Sequence, residues 1–238
     1  MDDFFDKELG RIVIKRNNRA KRVIARRKHN AVEITVPKRL PKSEIIRHFE
    51  ELKPQILSLP VRKVAYIDEE SKIKTFTFDV VITRKSICDN KIGMELKERL
   101  LTIDVPQNYN INDEGIQRSI KNLIVKALRY EAKKVLTSKV AFFAKKHNLE
   151  VNKVKINSSK HRWGSCTSKR NINLSLYLMM LPEHLINYVI LHELTHTIEL
   201  NHGQRFWQIL DQLCDGKAAE LNDECSNFDS PYLYSMKQ

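Results

Sequence analysis

Residues 192–196 read His-Glu-Leu-Thr-His. In a helix the two histidines, four residues apart, differ by about 40° in azimuth, so both imidazoles leave one face. Their Cβ atoms then lie about 5–6 Å apart, which suits two ligands of one tetrahedral zinc. Glu193 sits about 100° round from His192. It can reach a metal-held water without binding the ion, which is the place of a general base. Catalytic zinc needs a third protein ligand and one open position. His202 is the candidate. In an unbroken helix it would point about 240° away from His196 and lie roughly 9 Å further on, so the helix must stop first. Asn201 and Gly203 flank it, and both tolerate the left-handed backbone that a reversal can use. Glu220 or Glu224 is the alternative third ligand.

By chance a chain of this size shows HExxH on the order of once in a hundred cases. The plain alternative is a helix with incidental His and Glu. Against it, Val189, Ile190, Leu191, Leu194 and Ile198 make this helix strongly apolar. Polar groups buried there need a partner, and a metal supplies one. His29, His48, His147 and His184 have no ligand spacing. The run Lys160-His161-Arg162-Trp163-Gly164-Ser165-Cys166 either lines a site or is a loop anchored by its Trp. Cys88, Cys166, Cys214 and Cys225 form no CxxC pair. That argues against a disulfide scaffold or a cysteine zinc finger, and for free thiols in a reducing compartment.

The elements that must position these groups are legible in outline. Short strands are expected at 12–14, 23–25 and 32–36, with turns at Asn17-Asn18 and His29-Asn30. Pro41 opens a helix carrying Ile45, Ile46, Phe49, Leu52, Ile56 and Leu57, and Pro54 should end or kink it. Strands follow at 75–82 and 101–105. Helical spacing then holds from about Asn112 to about His147, and a short strand covers 154–156. Residues 171–178 alternate cleanly, so one strand with one buried face is expected. Pro182 starts the HExxH helix, and Gly203 leads into a helix with Phe206, Trp207, Leu210 and Leu213. No internal repeat is visible.

The 238-residue chain carries 42 Lys+Arg against 29 Asp+Glu, a formal charge of +13. Residues 11–42 hold twelve Lys/Arg and a single acid, Glu33, while residues 203–238 hold three basic and six acidic residues. A field of that asymmetry favours anionic partners, nucleic acid through residues 11–42 among them; the bland reading is a solvated basic face. The acidic opening MDDFFDKELG has no apolar core of a signal peptide, and no segment is long enough to span a bilayer, so a cytoplasmic, non-membrane protein is expected.

Several segments together resemble the YgjP-like metallopeptidases, zincins more distantly similar to SprT-like proteases. They are Arg162-Trp163-Gly164-Ser165-Cys166, Asn171-Ile172-Asn173-Leu174, Leu181-Pro182, Tyr188 through His196, Asn201-His202-Gly203 and Phe206-Trp207. The likeness is dense over about residues 160–210. Gly203 stands where many members have Ser. The resemblance implies metal ligation by His192, His196 and His202, and acid/base work by Glu193. It also implies either of two metal-assisted hydrolyses, of peptides or of a nucleoside triphosphate (UTP pyrophosphatase).

The combined expectation is an α+β chain: a basic β-rich part over residues 1–108, then a zincin-like metal-hydrolase domain over 109–238, its C-terminal helices packed on a small sheet. The alternative is that the family likeness covers about residues 11–232 as one unit. The expected activity is zinc-dependent hydrolysis with metal-bound water activated by Glu193. In the peptidase version strand 171–178 offers its edge to an extended peptide. In the nucleotide version Lys160, Arg162 and Arg205 hold phosphates. A third reading is a nucleic-acid-associated module carrying a zincin. Asn171 and Asn173 are further substrate-binding candidates, and Arg162, Tyr177, Tyr188 and Arg205 are candidates to steady the transition state.

Overall fold

Alternation dictates the first sheet. Val32, Ile34 and Val36 are fully buried, while Glu33, Thr35 and Pro37 are not, the period-two pattern of a strand with one wet face. The structure, a computed structural model that describes residues 3–27, 31–58, 65–86, 91–228 and 230–236, divides into two units, Met1–Val64 and Ala65–Gln238. The first unit has strands β1 (Phe4–Asp6), β2 (Gly10–Asn17), β3 (Ile24–Arg27) and β4 (Val32–Pro37), then helix α1 (Lys42–Ser58). The strand order is β1-β2-β4-β3, parallel between β2 and β4 and antiparallel elsewhere. Ile45, Phe49 and Ile56 of α1 share a core with Ile12, Val32, Ile34 and Val36. The helix runs on through Pro54 rather than stopping there. The expected turn at His29-Asn30 lies outside the described residues.

The second unit opens with β5 (Ile73–Lys74), β6 (Asp79–Lys85), β7 (Gly93–Lys97), β8 (Leu100–Pro106) and helix α2 (Glu114–Lys146). Its sheet order is β5-β6-β8-β7, again parallel only at the central pair. This is the same plan as the first unit, so the chain contains an internal duplication of four strands and a helix. The registers superpose. Ile12, Ile14 and Arg16 stand opposite Val32, Ile34 and Val36; Val80, Ile82 and Arg84 stand opposite Leu101, Ile103 and Val105. Even the clamps match. An Arg16 Nη donates to the carbonyls of Lys38 and Leu40 at 2.9 and 2.7 Å, the first and third residues after Pro37. An Arg84 Nη donates to those of Gln107 and Tyr109 at 2.7 and 2.6 Å, the first and third after Pro106. The repeat escaped sequence reading because it survives in register and clamp, not in a run of identical residues.

Three short strands complete the second unit: β9 (Lys153–Asn157), β10 (Gly164–Cys166) and β11 (Asn171–Ser175). Their order is β10-β11-β9, so β11 is paired on both sides. The alternating segment is therefore a strand only to Ser175. The Ser175 hydroxyl accepts from Tyr177 N–H at 3.3 Å, and a 3-10 helix takes over from Leu176 to Met180 with every residue buried. Helices α3 (Glu183–Thr195), α4 (Gln204–Leu213), α5 (Ala218–Asn227) and α6 (Pro231–Met236) follow. Helix α3 packs against α2, α4, α5 and β10. The pattern change near residue 108 falls inside this unit, because Leu101, Ile103 and Val105 of β8 share one core with Ile120, Ile124 and Leu128 of α2 and with Ile172 and Leu174 of β11. No helix among the described residues is long and apolar enough to cross a membrane.

Buried Gln117 ties this core together. Its Oε1 accepts from Ile67 N–H at 2.9 Å, and its Nε2 donates to the carbonyls of Ile67 and Ile111 at 2.8 and 2.9 Å. Leucine there would leave a buried N–H and C=O unpaired, at about 1–3 kcal/mol each. Gln117→Leu should therefore lower unfolding stability by about 2–4 kcal/mol despite adding apolar surface; an unchanged denaturant midpoint would contradict this.

Candidate metal centre

Three imidazoles converge. The candidate ligand atoms of His192, His196 and His202 all lie within 4.8 Å of one another. Ring centroids are 5.1 Å apart for His192–His196 and His192–His202, and 4.7 Å for His196–His202. Helix geometry delivers the first pair, and the end of α3 delivers the third. The helix stops at Thr195 with His196 as its C-cap. Ile198 and Glu199 N–H both donate to the Thr195 carbonyl at 3.0 Å, and the chain turns back to present His202 before α4. No residue from 196 to 203 has positive φ, and Gly203 sits at φ −77°. The reversal is built from ordinary backbone, not the left-handed residues expected at Asn201 and Gly203.

Each ring is held. His196 Nδ1 lies 3.0 Å from the Glu199 carbonyl. A carbonyl can only accept, so Nδ1 carries the proton and Nε2 keeps its lone pair for a metal. His192 Nε2 and His202 Nε2 are 3.0 Å apart, close enough to serve one cation. Phe206, fully buried on α4, lies against all three rings at centroid distances of 4.9, 4.6 and 4.6 Å. Burial, with some help from the neighbouring imidazoles, pushes the His192 pKa down to about 4. Burial lowers that of His196 too. Both stay neutral, the form that ligates. The donor set is three nitrogens with no thiolate, which fits a zinc site with an open position. Among the described residues neither Glu220 nor Glu224 joins this cluster; Glu220 is exposed and Glu224 lies 2.7 Å from His184 Nε2.

Glu193 is only 5% exposed. Its Oε2 is buried with no hydrogen-bond partner. Burial raises its pKa to about 8, against a smaller opposing pull from Arg162. Gly164 of β10 makes room for it. A Cβ there would stand 2.5 Å from Glu193 Oε1 and 2.7 Å from its Cγ and Cδ. Sequence reading placed Gly164 only within a motif, because nothing local shows which side chain lies over it.

A cavity of about 270 Å³ opens beside His192 and Glu193, walled by Arg162, Trp163, Tyr188, Val189, Asn222 and Cys225. Tyr188 donates its hydroxyl to Asn222 Oδ1 at 3.1 Å. Asn222 and Cys225 come from α5, which sequence reading brought to the site only through Glu220 and Glu224, not through these two residues. Lys160 and Arg205 are exposed and do not line this cavity. Neither do Asn171 and Asn173, which lie on β11; Asn173 Nδ2 is 3.4 Å from Ser165 Oγ. Buried Tyr177 donates its hydroxyl to the Met236 carbonyl at 3.0 Å. That is a packing role, not the transition-state role considered for it.

A family model for the YgjP-like metallopeptidase domain matches residues 21–224. The chain belongs to the YgjP-like metallopeptidase family. Two solved structures are distantly similar. One is the metallopeptidase zymogen abylysin of Pyrococcus abyssi, at 21% identity and TM-score 0.35 over 38% of this chain and 90% of that one. The other is the metallopeptidase zymogen jannalysin of Methanocaldococcus jannaschii, at 24% identity and TM-score 0.31 over 37% and 95%. No curated protein sequence matches. With its three-histidine cluster, this YgjP-like chain is a metal-dependent hydrolase of the metallopeptidase type.

Purified wild type should hold about one zinc per chain by elemental analysis. His202→Ala should lose most of it while keeping the wild-type far-UV spectrum. Full occupancy in that variant would remove His202 from the ligand set.

Proposed function

We propose that the chain is a zinc peptidase in which Glu193 is the proton carrier. The observation that carries this reading is the buried, unpartnered Glu193 Oε2 beside three convergent imidazoles. A bound zinc ion would supply Lewis acidity, polarising a carbonyl and lowering the pKa of water towards about 7. His192, His196 and His202 would hold it. Glu193 takes the proton from the water whose oxygen attacks the scissile carbonyl carbon. As the C–N bond breaks, the same oxygen of Glu193 returns that proton to the leaving nitrogen. Gly164 keeps the carboxylate at the site by leaving no side chain in its way.

Two further features support a peptide substrate. Strand β10 is an edge strand of its sheet and packs against α3, so an extended peptide can add beside it through main-chain hydrogen bonds. Strand β11, the edge first expected for this role, has a neighbour on each side. The cavity of Trp163, Tyr188, Val189 and Cys225 suits one uncharged side chain next to the scissile bond. Nucleotide hydrolysis has less support, since of Lys160, Arg162 and Arg205 only Arg162 borders the cavity. We place the enzyme in the cytoplasm, in keeping with Cys166, Cys214 and Cys225 as free thiols.

Two variants test the reading with a peptide library and UTP assayed in parallel. Glu193→Gln should keep its zinc and lose about 10²–10⁴-fold in peptide cleavage. Gly164→Ala should also keep its zinc and lose about 10²-fold, mainly in kcat, because it displaces the carboxylate. Peptide cleavage untouched in Glu193→Gln, or pyrophosphate release without peptide cleavage, would overturn the proposal.

A further inference from the structure

The duplication supplies an internal control for the chain's uneven charge. Residues 11–42 hold twelve Lys/Arg and one acid; the register-matched residues 79–111 hold five Lys/Arg and five acids. The same strand order and clamp are built both times. The fold therefore does not require the excess positive charge of the first copy.

Part of that charge lines one groove. A broad groove of about 840 Å³ is bordered by Lys15, Arg16, Arg19, Glu33, Thr35 and Lys38, with Asn17 and Asn18 between them. It therefore carries four cations and one anion. Arg16 is the clamp, and Lys15 Nζ pairs with Glu33 at 2.8 Å. Arg19 and Lys38 are exposed and make no ion pair among the described residues. Lys21 and Arg22, also exposed, continue the charge along the turn after β2. In the second copy the groove positions of Lys15, Glu33, Thr35 and Lys38 are taken by Thr83, Thr102, Asp104 and Gln107. There the clamp Arg84 recurs, and Lys85 is neutralised by Asp104 at 2.8 Å.

We propose that this groove and the turn beside it bind the phosphate backbone of double-stranded nucleic acid. Arginine forks and asparagine amides are phosphate donors. Among the described residues no aromatic side chain borders the groove, which disfavours the base-stacking mode of a single-strand binder. Among them no large apolar side chain borders it either, which disfavours insertion into a lipid surface and the apolar anchors of a protein interface. The surface is independent of the metal centre, so its failure and that of the peptidase reading can be told apart.

The test uses the full chain with its metal and a fluorescent duplex DNA, followed by anisotropy from about 50 to about 200 mM salt. Affinity should fall linearly on a log–log plot, with a slope of about −3 or steeper. The variant Arg19→Gln/Lys21→Gln/Lys38→Gln should bind about tenfold or more weakly at about 100 mM salt and flatten the slope by about 2–3. The equally neutralised variant Lys74→Gln/Lys91→Gln/Lys97→Gln, in the second copy, should bind like wild type. Should the first triple variant melt early, Arg19→Gln and Lys38→Gln taken singly must each flatten the slope by about one. The proposal is overturned by no binding at the lowest salt, by a salt-independent affinity, or by equal loss in both triple variants. Tighter binding to single strands, to phosphatidylserine vesicles or to polyglutamate overturns it as well.

Discussion

Everything at the metal centre depends on keeping the Glu193 carboxylate and the His196 imidazole inside an apolar helix junction, with half-buried His192 and exposed His202 beside them. Helix α3 buries Leu185, Ile186, Tyr188, Val189, Ile190, Leu191 and Leu194, and Glu193 and His196 are buried with them at 5% and 8% exposure. Desolvation of such groups costs several kcal/mol unless something answers their charge or lone pairs. The protein answers one nitrogen of His196 with the Glu199 carbonyl and gives Glu193 Oε2 no partner at all. A cation shared by the three free nitrogens resolves this imbalance. The same burial that makes the apo site costly leaves His192 and His196 neutral and the carboxylate easy to protonate, which are the states a hydrolase of this kind needs.

The surrounding elements are arranged around that constraint. Phe206 backs the three rings on one side, and its helix begins directly after the turn that carries His202. Gly164 lets Glu193 approach the sheet more closely than any other residue would permit. Long helix α2, capped by Asp113 accepting from Gly115 and Ile116 N–H, packs against α3, β9 and the 3-10 helix. It thereby fixes the one helix on which placement matters to a fraction of an ångström.

The ligands were legible from sequence because their geometry is local: i and i+4 on a helix, then a third histidine just beyond the point where the helix must end. The α+β class and most elements were legible for the same reason. What was missed depends on tertiary neighbours. Nothing near Gly164 in sequence points to Glu193, and nothing near Asn222 or Cys225 points to the cavity they wall. Residues 171–178 alternate throughout, yet Ser175 caps a 3-10 turn and ends the strand early. The change near residue 108 looked like a boundary because strand pattern gives way to helix pattern there. Strand β8 and helix α2 are instead successive layers of one core. The pairing registers expose the duplication; in sequence it survives only as two short gapped matches, Val13-Ile14-x-Arg16 with Val81-Ile82-x-Arg84 and Ile34-x-Val36-Pro37 with Ile103-x-Val105-Pro106.

The most direct test is X-ray absorption at the zinc edge of the reconstituted full chain. Three imidazole nitrogens and one further light atom, all at about 2.0–2.1 Å, are predicted. A sulfur shell near about 2.3 Å, or a spectrum unchanged when His192 and His202 are both replaced by alanine, would contradict it.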